Sequence, residues 1–248
     1  YDFFGKEIER MAHRKGIKTD FVKTEQPTIT KARIIGGRQQ IVRIDYEQHL
    51  ELSEKAREDF QIHLASLFQE FPTLVISDYG KGVCTEENCR RMIESCHTYG
   101  VPVVVDPKGT DWTKYAYADY ITPNLKEINQ VLAEPIHNED RAVEVAAHYV
   151  MNRFNIRNVI VTRSEEGLSL IRDDENVHIP TKAQEVFDVS GAGDTVIAVF
   201  AMGLAGGMNP ADSAYMANLA ASVVVAKLGT YAVSREELMA VLKGEAEK

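Results

Sequence analysis

Cysteine is scarce: Cys84, Cys89 and Cys96 are the only three in 248 residues, and no two are spaced as C-x-x-C. With no neighbouring pair of histidines either, the pattern argues against a zinc site, and reduced structural thiols are the expectation. No apolar run approaches the roughly 20 residues that span a bilayer. Basic residues are in the minority, 28 Lys and Arg against 37 Asp and Glu, a formal charge of −9. That balance argues against holding nucleic acid through general electrostatics, while leaving room for a local cationic site that takes a small anion. What remains is 44% apolar and 26% charged. This is the composition of a soluble globular chain with one sizeable core, and a cytoplasmic protein with small-molecule partners is expected.

The opening "YDFFGKEIERMAHRKGI" reads as an amphipathic helix. "TITKARIIGGRQQIVRIDYE", residues 28–47, holds two stretches of near-alternating polar and apolar residues on either side of Gly36-Gly37, which predicts a β-hairpin. From there helices and strands alternate. "SEKAREDFQIHLASLFQEF" predicts a helix, "TLVISD" a strand, "TEENCRRMIESCHTYG" a helix ending at Gly100, and "VPVVVD" a strand. A short strand "DYITPN", a helix through "EDRAVEVAAHYVMNRFN", the strand "NVIVTRS" and another around "LSLIR" follow. Two helices are expected to finish the fold, one from about Ala192 and one capped by Asn209 with Pro210 in its first turn. Apolar strands between helices imply a mostly parallel sheet covered on both faces. The hairpin departs from this alternation and is expected to protrude as a lid. The expected division is therefore residues 1–27 and 48–248 as one α/β domain, with 28–47 as the lid.

Ligands of an open parallel sheet bind outside the carboxyl ends of its strands. Asp78, Asp106, Asn124 and Thr162 each follow an apolar strand and would face one cleft, although each taken alone suits a cap or a turn. The stretch "DVSGAGDTVIAVFA" places Gly191 and Gly193 just before Asp194 and a helix. Glycines there let the backbone approach a ligand, and the first N–H groups of a helix attract anions. A carboxylate beside an anion site is self-defeating for binding alone. It makes sense as a general base next to a transferring phosphoryl group. The plainer alternative is a helix cap after a glycine turn. A dinucleotide fingerprint is excluded because Val196 stands where the third glycine belongs, and Gly80-Lys81 and Gly5-Lys6 lack the Ser or Thr of a P-loop.

"DVSGAGDT" resembles the signature of the ribokinase-like (PfkB-type) sugar kinases, and the likeness runs along essentially the whole chain. The resemblance implies a three-layer α/β/α fold with a mostly parallel central sheet and a β-hairpin lid. The family's opening strand and its Gly-Gly-Asn sugar segment have no counterpart here, so the N-terminal strand region is expected to be missing. The resemblance also implies roles. Asp194 would be the catalytic base, and Gly191, Ala192 and Gly193 the anion hole. Asn124 and Glu127 in "TPNLKE" match an N-x-x-E element, with Asn124 toward the nucleotide and Glu127 toward Mg²⁺ through water. Thr162 and Gly167 in "TRSEEG" match a T-x-G-x-x-G nucleotide loop in which Ser164 replaces the usual glycine, and Asn218 in "MANLAA" falls near the adenine.

MgATP is thus the implied phosphate source, a monovalent cation a further candidate, and a homodimer the expected assembly. "SDYGKG", "VDPKGTDWTKY" and "KLGTYAVS" are especially similar to a bacterial subgroup that phosphorylates the anomeric hydroxyl of heptose 7-phosphate. Another sugar or a nucleoside as acceptor, or a binding module without catalysis, are the alternatives. Asp78, Lys81 and Lys108 at strand ends, and Arg33 and Arg43 on the two hairpin arms, are the candidates for holding the acceptor and its phosphate. Against this, surface lysines are common, Glu127 can simply favour a helix dipole, and the hairpin can pack against a second subunit.

Overall fold

Val103, Val104 and Val105 have no exposed surface, although successive strand residues point to opposite faces, so their sheet is covered on both sides. Each such side chain contributes about 1.5–3 kcal/mol by leaving water. The computed structural model describes residues 2–37, 39–47, 52–68, 70–183 and 185–246. Residues 1, 48 and 248, which bound the expected domain segments, lie outside these. The chain divides into two units: the described residues up to Leu67 together with Gly80–Cys84, and Phe68–Tyr79 together with Thr85 onward.

The first unit holds α1 (Phe3–Arg14), β1 (Thr30–Gly36), β2 (Gln39–Tyr46) and α2 (Glu54–Leu67). Asp2 caps α1 by accepting from the Gly5 N–H at 2.8 Å, and it also accepts from the Thr28 N–H at 2.7 Å. Those two backbone bonds and the Thr28 hydroxyl hold its carboxyl down to about 2. β1 and β2 form the expected antiparallel hairpin, with Arg33 opposite Arg43 and Ile34 opposite Val42. Period-two alternation makes the ribbon two-faced. Lys31, Arg33, Arg43 and Asp45 share one face; Ala32, Ile34, Val42, Ile44 and Tyr46 share the other.

The second unit is built on a six-stranded sheet in the order β3 (Leu74–Ser77), β4 (Val103–Asp106), β5 (Tyr120–Ile121), β6 (Val159–Thr162), β7 (Leu168–Ile171) and β8 (Asn176–Ile179). The first four strands run parallel and the last two pairings are antiparallel. The helices are α3 (Glu86–Thr98), α4 (Leu125–Val131), α5 (Asp140–Phe154), α6 (Ala192–Ala205), α7 (Pro210–Val225) and α8 (Arg235–Ala246). α6 packs on β3 and β4, α7 on β7 and β8, and α5 on β6 and β7. Phe200 and Tyr120 meet edge to face at the centre of this core, 4.9 Å between ring centroids.

Three elements exceed the sequence expectation. β8 carries the polar Asn176 and His178 in a four-residue edge strand, too short and too polar for an apolar-run criterion. α4 is only seven residues long. α8 is a third closing helix where two are expected, and its signal was present as a capping box: Glu237 N–H donates to Ser234 Oγ at 3.2 Å, and Ser234 N–H donates back to Glu237 Oε2 at 3.0 Å. Among the described residues no helix is long and apolar enough to cross a membrane.

Candidate active site

Backbone bonds bring the carboxyl ends of the parallel strands into line. Ser77 pairs with Asp106, and the Asp78 N–H donates to the Asp106 carbonyl at 3.1 Å. Asn124 bridges to Thr162, whose N–H donates to the Pro123 carbonyl at 3.0 Å. Asp106, Asn124 and Thr162 thus share one edge, as expected. The fourth strand-end residue does not. Asp78 has a side chain only 2% exposed, with Oδ2 accepting from Lys114 Nζ and from the Tyr115 hydroxyl, both at 2.5 Å. A carboxylate so enclosed and so neutralised does not present itself to a substrate. Asp78 is a buried anchor for Lys114 and Tyr115, unlike the more open carboxylate of Asp106 at the next strand end. Tyr115 also accepts the Lys108 N–H at 3.1 Å, so the anchor holds the backbone of the Lys108 turn.

Asn124 and Glu127 form a reciprocal capping box at the start of α4. Glu127 N–H donates to Asn124 Oδ1 at 2.9 Å, and Asn124 N–H donates to Glu127 Oε2 at 3.0 Å. The N-x-x-E spacing therefore has a local structural reason, and the box aims the second Glu127 oxygen. That oxygen, Oε1, stands 3.8 Å from Lys108 Nζ. Asp106 is half-buried beside this pair. Burial first, then the charges of Glu127 and Asp194, push its carboxyl up to about 6, with Lys108 opposing. Excess negative charge gathered at the strand ends is what a divalent cation relieves. Among the described residues, no three His, Cys, Asp or Glu side chains are placed to hold a metal directly, so an ion here would keep water between itself and most carboxylates.

Gly191 precedes α6 with φ +82°, left-handed backbone that favours glycine. Its carbonyl accepts from the Thr195 N–H at 2.9 Å and from the Thr195 hydroxyl at 2.8 Å. Ala192 N–H is turned inward to the Val189 carbonyl at 3.2 Å, so Ala192 supplies no free donor to the expected anion hole. Among the described residues the N–H groups of Gly191, Gly193 and Asp194 have no acceptor. A side chain at Gly193 would meet nothing within 4 Å, so the backbone is uncrowded at that position. Asp194 is exposed on the first turn of α6. Its charge, ahead of burial, raises the Tyr79 hydroxyl above the usual tyrosine range. Tyr79, 66% exposed, is the addition to the residues expected there. Asp106 was legible as a strand-end carboxylate, Tyr79 only as a neighbour of Asp78.

The Thr162–Gly167 turn is narrow. Arg163 N–H donates to the Gly167 carbonyl at 2.8 Å, and Ser164, where glycine is usual, adopts φ +53°. Gly167 has φ +82°, and a Cβ there would sit 2.1 Å from the Ile179 carbonyl oxygen. Asn218 is buried and donates through Nδ2 to the Pro180 carbonyl at 2.8 Å, tying α7 to the chain after β8.

The remaining candidates lie in the first unit. Arg43 pairs with Asp45 at 2.8 Å, and Lys81 with Glu47 at 2.9 Å. A cleft in that unit, about 380 Å³ and lined mainly by apolar residues such as Ile8, Phe21, Ile29 and Phe60, contains none of the candidate site residues. Carboxylates and N–H groups without an acceptor gather instead at the strand ends and the start of α6.

A mostly parallel sheet whose strand ends set carboxylates beside the free N–H groups of a helix start defines a ribokinase-like α/β architecture equipped for phosphoryl transfer. The chain belongs to the pfkB family of carbohydrate kinases, whose pattern matches residues 1–237. It is 39% identical to the bifunctional protein HldE of Histophilus somni over 239 residues, 96% of this chain and 49% of that protein. To HldE of Trichlorobacter lovleyi it is 42% identical over 235 residues, 94% of this chain and 48% of that protein. The chain thus spans about half the length of these curated relatives. In fold it is similar to Escherichia coli phosphofructokinase-2 in complex with potassium, with a TM-score of 0.82 at 16% identity, covering 99% of this chain and 80% of that one. It is also similar to Arabidopsis thaliana ribokinase complexed with ribose and ATP, with a TM-score of 0.78 at 19% identity, covering 98% and 79%.

Proposed function

We propose that the chain transfers the γ-phosphoryl group of MgATP to the anomeric hydroxyl of a heptose 7-phosphate, giving the 1,7-bisphosphate. One observation carries the phosphotransfer: among the described residues the N–H groups of Gly191, Gly193 and Asp194 have no acceptor, and the backbone is uncrowded at Gly191 and Gly193 beside the Asp194 carboxylate. Asp194 takes the hydroxyl proton as the sugar oxygen bonds to phosphorus and the bond to the ADP oxygen breaks. The free N–H groups stabilise the charge that develops on the transferring group. Mg²⁺ arrives with ATP as part of the substrate, and Glu127 and Asp106 face it through water. Thr162 and the turn to Gly167 take the nucleotide. Lys108, exposed beside Glu127, meets a phosphate.

The heptose acceptor rests on the subgroup stretches and on about 40% identity to HldE proteins. Arg33 and Arg43 on one hairpin face supply positive charge for the acceptor's phosphate, and the opposite, exposed apolar face with Ile34, Val42, Ile44 and Tyr46 supports pairing of two copies. ADP release against heptose 7-phosphate, ribose, fructose 6-phosphate and adenosine tests the assignment. Turnover on the heptose phosphate alone supports acceptor and reaction together. Turnover on another acceptor keeps the kinase and overturns the heptose, and ATP binding without turnover overturns the kinase.

A further inference from the structure

Arg163 sits inside the nucleotide turn yet is only 2% exposed, so its guanidinium does not reach a bound nucleotide. Its partners come from three elements. Nε donates to Asn138 Oδ1 at 2.8 Å and one terminal nitrogen to the Asn138 carbonyl at 3.2 Å. The other terminal nitrogen donates to Asp140 at 2.5 Å, at the start of α5, and to Ser169 Oγ on β7 at 2.9 Å. Asn138 answers by donating through Nδ2 to the Arg163 carbonyl at 3.0 Å. A second tier stiffens the first: Ser169 Oγ lies 2.8 Å from His178 Nδ1 on β8, and His178 Nε2 lies 3.0 Å from Glu144 on α5.

Burying a guanidinium is costly, and an apolar side chain of similar volume would fill the space at no such cost. What the apolar side chain lacks is the planar fork, which fixes several directions at once. Here those directions lock the main chain on both sides of Arg163, where the turn must pass through the left-handed Ser164 and fold back so that Arg163 N–H reaches Gly167. Lysine keeps the charge and cannot keep the fork.

We infer that Arg163 is a positioning residue for the nucleotide: its fork, held by Asn138, Asp140 and Ser169, sets the pitch of residues 162–167 and so governs affinity for ATP without touching it. The inference rests on the kinase reading above. It is tested with Arg163→Lys and Asn138→Ala, the second removing the anchor while leaving the buried arginine in place. ATP KM, acceptor KM and kcat are measured, together with the affinity of a non-hydrolysable ATP analogue by calorimetry.

Both variants are expected to weaken ATP and analogue binding about 10-fold or more, with acceptor KM held within about 2-fold. Arg163→Lys is expected to give no rescue relative to Arg163→Met. Unchanged nucleotide affinity in folded variants, or equal losses for ATP and acceptor, overturns the inference. If the wild-type chain binds the analogue but turns over no acceptor, the proposed reaction fails, and analogue affinity in the variants still decides the role of Arg163. If it binds no nucleotide, both fail.

Discussion

Tyr115 donates its hydroxyl hydrogen bond to Asp78 at 2.5 Å, across 37 residues of sequence, while accepting the Lys108 N–H at 3.1 Å. Burial, then the bond to Asp78, raises the tyrosine hydroxyl above its usual range, so it stays a donor at any working pH. Tyr115→Phe leaves Asp78 with one donor fewer in a buried setting. The expected loss is about 1–3 kcal/mol of unfolding free energy. Urea titration measures it. A raised acceptor KM with unchanged stability would place Asp78 among the substrate contacts.

The carboxylate of Asp194 can accept a proton, and an asparagine amide in its place cannot. General-base catalysis is worth about 10²- to 10⁴-fold, so Asp194→Asn should lose about 3–5 kcal/mol of transition-state stabilisation in kcat. Calorimetry on the same variant should find nucleotide binding nearly kept, because the N–H donors belong to the backbone. Unchanged turnover would refute the role.

Asp106 carries the pH dependence. Its carboxyl is raised in the folded chain to about 6 from 3.8, so between those values the native state holds a proton that the unfolded state has lost. Unfolding therefore releases a proton there, and this group's contribution to stability falls as pH rises from about 4 to about 6. Discounted for the carboxyl's partial exposure, the expected fall is about 1–2 kcal/mol. Asp106→Asn should abolish that component and be the more stable protein at pH 7. Denaturant midpoints of both proteins at pH 4.5 and 7 check the sign.

The strands other than β8, the hairpin and the glycine turn before α6 were legible because each is written within a few neighbouring residues: an apolar run, an alternation, a pair of glycines. The fate of polar residues was not. Asp78 and Asp106 read alike, each closing an apolar strand, and what separates them is Tyr115 and Lys114, more than thirty residues downstream of Asp78. Arg163 in "NVIVTRS" carries no local sign of its setting, yet it is buried by Asn138 and Asp140, which precede it by 25 and 23 positions. Asn218 found Pro180 across 38 positions. Pairings made by tertiary folding leave no local signature, so the sequence pointed to the site's edge without showing which carboxylate is free.

Ser164 and Gly167 give the Thr162–Gly167 turn two opposite responses to substitution. Ser164 adopts φ +53°, a region that costs a side-chain-bearing residue about 1–2 kcal/mol. Gly167→Ala would drive a Cβ to within 2.1 Å of the Ile179 carbonyl oxygen, which is backbone and cannot rotate away. Ser164→Gly is expected to be neutral or to stabilise by up to about 1 kcal/mol, the strain relief partly offset by the freer unfolded chain. Gly167→Ala is expected to cost about 3 kcal/mol or more. Thermal melts order the three proteins, and a tolerated Gly167→Ala would mean that β8 yields more readily than its pairing with β7 implies.

Arg33 faces Arg43 directly across the hairpin, and like charges so placed oppose the pairing of their strands. Asp45 neutralises Arg43 at 2.8 Å, which leaves the face with positive charge that an anion would satisfy. If the acceptor's phosphate is that anion, Arg33→Ala should raise acceptor KM by about 10-fold or more while ATP KM and kcat hold. Rising ionic strength should erase much of the difference between variant and wild type, since screening weakens the contact in the parent. Sedimentation of the same variant separates this from an assembly effect, because the apolar face that supports pairing of two copies is untouched. An unchanged KM would assign the arginine pair to the hairpin alone and move the phosphate contact to Lys108.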